Sequence, residues 1–148
     1  MIRRRLLRGG LTVLGLLHLI WGVAAVAAPR RFFDAFPGFG PGWTAAYPPF
    51  NEHLMVDVGA AFTAFGVLLL LAATLVDRRV TAVVLTGVVV FSAIHLGYHA
   101  VRHGDLAGAT LAASLVSLLL GVLVPLALLW INQGTPHRSV RASARSGA

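Results

Sequence analysis

With 148 residues, 57% of them hydrophobic and 11% charged, and a mean hydropathy of +0.82, the chain lacks the charge of about a quarter of residues that a water-soluble domain carries. It has no cysteine, which excludes a disulfide framework, a thiolate metal site and a cysteine nucleophile. The formal net charge of +7 rests on arginine alone, and the arginines flank apolar segments as topology signals do, so the expected partner is the lipid bilayer and not nucleic acid.

Arg3, Arg4, Arg5 and Arg8 precede a first apolar segment at about 7–28. This start resembles a secretory signal, with Ala25-Val26-Ala27 after the apolar run, but the run is long and carries His18 and Trp21, so the segment is expected to be retained. Cleavage would leave three helices and remove His18. The connection 29–51 holds five of the seven prolines and seven of the thirteen aromatic residues: Phe32, Phe33, Phe36, Phe39, Trp43, Tyr47 and Phe50. Proline blocks regular structure and aromatic rings suit the headgroup layer, so this is an outer loop anchored at the interface, with a short interfacial helix over residues 30–36.

Three more segments reach the roughly 20 apolar residues needed to span a bilayer, at about 54–76, 80–101 and 106–131. The short connections between them make antiparallel neighbours. The expected fold is all-α: a polytopic membrane protein with an up-down four-transmembrane-helix bundle as one domain over 1–131, followed by a disordered cytoplasmic tail over 132–148. Nine arginines fall on the side of the termini, and only Arg30, Arg31 and Arg102 on the other, which places both termini in the cytoplasm. Ser92, Thr110, Ser114 and Ser117 read as helix-packing hydroxyls, and Pro125 as a kink.

Given that topology, the rare ionisable side chains sort to the outer half. His95, His99 and His103 form one stripe at i, i+4 spacing, and His53 and Asp57 form another on the preceding helix. At 1.5 Å per residue, His18 lies about 15 Å and His95 about 12 Å below the outer end. Gly15, Gly22 and Ala25 near His18, and Ala60 and Ala64 below Asp57, would let backbones approach, so the two stripes are expected to face one another.

Such a layer suits a transition metal, Zn, Fe, Mn or Cu, with His53, Asp57, His95 and His99 as ligands, Glu52 and His103 as further candidates and Tyr98 behind them. The chain would then be a metal-dependent oxidoreductase or hydrolase, or a simple metal holder. Haem b held by His18 and His95 is a second possibility, in an electron carrier. Hydrogen-bonded glue between helices and a proton or substrate path are the others.

The long Pro/aromatic loop, Asn51-Glu52-His53, Asp57-Val58-Gly59 and His95-x-x-Tyr98-His99 resemble DoxX-like and related small bacterial four-helix membrane proteins. The resemblance implies the bacterial inner membrane, this fold, and a non-catalytic accessory role in a membrane redox complex, with another membrane protein or a second copy as partner.

Overall fold

The computed structural model describes residues 1–40 and 42–134. Five helices follow one another: α1 (Ile2–Ala27), α2 (Pro29–Ala35), α3 (Glu52–Leu75), α4 (Arg78–Val101) and α5 (Gly108–Gln133), with no strand among the described residues. The four long helices are each long and apolar enough to cross a membrane. At 24 to 26 residues each, they extend to about 36–39 Å, somewhat more than a hydrocarbon core of about 30 Å. The protein is a multi-pass membrane protein, and α2 is the short helix expected at the start of the loop.

Caps fix where the helices begin. Asn51 accepts a hydrogen bond from the Leu54 amide at 3.0 Å, so α3 starts at Glu52, two residues before the apolar run. Val76 closes α3 in the left-handed region, at φ 46°, and hands the chain directly to Asp77. The Asp77 carboxylate accepts from the Arg79 and Val80 amides at 2.9 Å and starts α4. At the far end α5 runs past the expected boundary. Asn132 is buried and donates to the Arg78 carbonyl at 2.9 Å, which holds the last turn of α5 against the start of α4. The expected disordered tail therefore begins no earlier than residue 134, and its remainder lies outside the described residues.

Around the bundle the order is α1, α3, α4, α5; α1 packs most closely on α3, and α4 on α5. Glycines set the first pair. A Cβ on Gly66 would lie 2.7 Å from the Leu19 amide nitrogen, and one on Gly59 would lie 2.9 Å from the Ala25 Cβ, so the two backbones are in contact. The core, including Leu7, Leu11, Leu14, Leu69, Leu85, Val88 and Leu128, fills the end that carries the termini. Val13, Ile20, Val83, Ile94, Leu120 and Trp130 are exposed on the outside, the apolar surface that lipid would cover.

The small residues that seat α3 are Gly59, Gly66 and Ala73, not the expected Ala60 and Ala64, which are exposed. Asp57 is two residues before Gly59, hence about 200° round the helix. Seating Gly59 on α1 therefore turns Asp57, and with it His53, to the outside.

Candidate functional site

Opposite the leucine core, at the end closed by residues 29–51, the helices part around a cavity of about 180 Å³. Each helix of the bundle contributes to it. α1 supplies His18 and Trp21, α3 supplies Phe62, and α4 supplies Phe91, Ser92, His95 and His99. From α5 come Ser114, Ser117, Leu118 and Gly121. The loop adds Phe36, Trp43, Thr44 and Tyr47.

The loop is folded over this mouth by its own polar contacts. Thr44 donates to the Phe33 carbonyl at 2.5 Å, and the Trp43 amide donates to the Phe36 carbonyl at 2.7 Å. The Asp105 amide donates to the Ala46 carbonyl at 3.0 Å, which ties the loop to the turn between α4 and α5. Gly104 in that turn has φ +58° and abuts the Ala46 carbonyl, so a side chain there would be both strained and blocked. Tyr47 then reaches the His99 Nδ1 at 2.5 Å.

A continuous series of rings forms one wall. His18 stacks on Phe62 at 5.3 Å between centroids, Phe62 meets Phe91 edge-on at 5.5 Å, and Phe91 stacks on His95 at 5.6 Å. His95 and His99 stand 4.6 Å apart, and His99 meets Tyr47 at 4.9 Å. His18 is buried, and its Nδ1 lies 2.8 Å from the Leu14 carbonyl. A carbonyl can only accept, so Nδ1 carries the proton and Nε2 of the neutral ring is left with a lone pair. The Tyr47 phenol donates to His99 when that ring holds its proton on Nε2. Burial pushes the Tyr47 phenol above its ordinary range, and the neighbouring Tyr98 adds to the effect.

The structure thus brings together His18, His95 and His99, and leaves the rest of the expected ligand set apart. His53 and Asp57 do not line the cavity. They sit 3.4 Å from each other on α3 with side chains 88% and 60% exposed. Glu52 and His103 are exposed, and among the described residues no carboxylate lines the cavity. Among the described residues no group of three or more His, Cys, Asp or Glu side chains is arranged to hold a metal ion. Tyr98 touches His99 edge-on at 5.5 Å but is 57% exposed. The His18 and His95 pair does share the cavity at overlapping depth.

The aromatic lining and the serines were not legible as site residues. Ser92, Ser114 and Ser117 read as packing hydroxyls, yet they line the pocket from α4 and α5. The available signal was register: Ser92, His95 and His99 lie within one face of α4 at i, i+3, i+7 spacing. Comparison with protein-family models, curated proteins and solved structures gives no match to this chain.

Proposed function

We propose that the protein binds a small ligand in this pocket, a single flat ring or similarly compact apolar body carrying a hydrogen-bonding atom. The observation that carries the reading is one cavity of about 180 Å³ with aromatic walls and a few convergent polar groups on His18, His95, His99 and three serines. The Nε2 lone pair of His18 accepts a hydroxyl or N–H of the ligand, and Trp21, Phe62 and Phe91 give it ring contact. Trp43 and Tyr47 cover it from the loop.

The membrane is the bacterial inner membrane, with both termini in the cytoplasm and the pocket opening to the outer side. The clustering of Arg3, Arg4, Arg5, Arg8, Arg78 and Arg79 at the opposite end supports that orientation. In a DoxX-like accessory subunit of a membrane redox complex, such a pocket would hold a small lipid-soluble carrier. A membrane protein partner or second copy would then meet the exposed His53–Asp57 face of α3.

A metal is the second reading, favoured by His95 and His99 at i, i+4 on one wall with His18 also lining the cavity. Such an ion would be held by imidazoles alone. Isothermal titration of the detergent-purified protein with p-cresol and with toluene, alongside metal analysis, separates the two readings. Saturable binding of p-cresol, roughly tenfold tighter than toluene and levelled by His18→Ala, is the expected result. Failure of either compound to saturate, with stoichiometric metal lost in His99→Ala, replaces the ligand reading by the metal one.

A further inference from the structure

A second concavity lies at the terminal end of the bundle, away from the histidine pocket. It is an open groove of about 480 Å³ between α1 and α3, lined by Arg8, Thr12, Leu70, Ala73 and Thr74. Arg8 and Thr12 are four residues apart on one face of α1, with Arg4 one turn before them. The last carbonyls of α3 lack partners within the helix, and the Arg8 Nε donates to that of Ala73 at 3.1 Å. This bond fixes the guanidinium in the groove and uses one of its five N–H donors, leaving the four on the terminal nitrogens.

The two hydroxyls are committed in the opposite sense. Thr12 donates to the Arg8 carbonyl at 2.9 Å, and Thr74 donates to the Leu71 carbonyl at 2.8 Å. Each hydroxyl proton is spent on its own helix, so each oxygen is left as an acceptor. The groove therefore offers a fork of cationic donors beside two acceptors. Below it, Val13, Leu16, Val67 and Leu71 present exposed apolar surface. The same end of the bundle carries Arg3, Arg4, Arg5, Arg78 and Arg79, with Arg3 turned over the Trp130 ring of α5, and the acidic residue at this end, Asp77, holds its carboxylate on the Arg79 and Val80 amides.

From this arrangement we infer that the groove is a binding site for an anionic phospholipid with a hydroxyl-bearing headgroup, of the phosphatidylglycerol class. The Arg8 terminal nitrogens take the phosphodiester, as guanidinium forks do. Thr12 and Thr74 accept from the headgroup hydroxyls, and the acyl chains run down the exposed apolar faces of α1 and α3. Arg8 lies about 9 Å along α1 from its first residue, and its long stem lets the guanidinium reach the headgroup layer. A zwitterionic headgroup would bring an ammonium into a field of arginines, which disfavours it.

Native mass spectrometry of the full chain in detergent tests the site, with phosphatidylglycerol, phosphatidylcholine, phosphatidic acid and glycerol phosphate as probes. One phosphatidylglycerol should be retained per chain, roughly tenfold better than phosphatidylcholine, and Arg8→Gln should remove that preference. Arg79→Gln makes the same charge change at the same end and should leave the preference standing. The double variant Thr12→Val, Thr74→Val keeps the Arg8–Ala73 bond, so it tests the groove even if Arg8→Gln folds poorly. It should weaken phosphatidylglycerol and leave phosphatidic acid unchanged. Equal loss in Arg8→Gln and Arg79→Gln would reduce the effect to diffuse attraction and overturn the site. An unchanged preference in the threonine double variant does the same, and glycerol phosphate held as tightly as the lipid assigns the groove to a soluble anion instead.

Discussion

Tyr47 and His99 are 52 positions apart, and the 2.5 Å hydrogen bond between them ties the loop to the wall of the pocket. Tyr47→Phe removes the bond while keeping the ring contact, so it should lower thermal stability by about 1 kcal/mol. The phenol also fixes a pH dependence. Burial, with Tyr98 as a lesser cause, raises its folded-state pKa above the ordinary 10.0, so the folded chain keeps this proton after the unfolded chain has lost it. Its stabilisation is complete below about pH 10 and is lost as pH rises through the raised value. Melting curves at about pH 8 and pH 11 should show a fall in the native chain that Tyr47→Phe reduces. An equal fall in both would sink the assignment. His95 and His99 were readable as one stripe, and His18 as lying near the depth of His95, because depth and helical spacing are arithmetic on the sequence. Tyr47 was not, because a loop residue has no period to place it.

Between elements, the decisive contacts are made by residues without side chains. Gly15 and Gly22 on α1, and Gly59 and Gly66 on α3, are each seven apart, two turns of a helix, so each pair lies on one face. That spacing was the sequence signal for how α3 sits. It was obscured because α3 is apolar nearly all round, and hydrophobicity then says nothing about facing. The His53/Asp57 stripe is the visible asymmetry in the sequence and points inward on that reading; the helix instead spends its inner face on the glycines. Gly66→Ala, whose Cβ would meet the Leu19 backbone nitrogen at 2.7 Å, should destabilise the bundle by roughly 2 kcal/mol or more. Gly97→Ala in α4 meets nothing within 4 Å and should be neutral or stabilising by up to about 1 kcal/mol. Thermal unfolding of the two variants in one detergent compares them, and similar losses in both would deny the backbone contact between α1 and α3.

The molecule as a whole has two unlike ends. One is basic and solidly packed on leucine, with Asn132 and Arg8 bridging helix ends. The other holds an aromatic loop over a cavity and carries the acids Asp34, Glu52, Asp57 and Asp105. If arginine sets orientation, the cavity opens away from the cytoplasm, and its ligand arrives from the outer side or the outer leaflet. The absence of native cysteine makes this directly testable, since a single introduced thiol is the only one in the chain. Phe39, 69% exposed in the loop, and Ile2, 75% exposed at the start of α1, mark the two ends and lie outside both packed regions. In intact cells Phe39→Cys should react with a membrane-impermeant maleimide, and Ile2→Cys only after permeabilisation. The reverse pattern would turn the pocket toward the cytoplasm and set the arginines against the rule. Labelling of both without permeabilisation would break the up-down topology itself, because α1 would no longer separate its two ends by a bilayer.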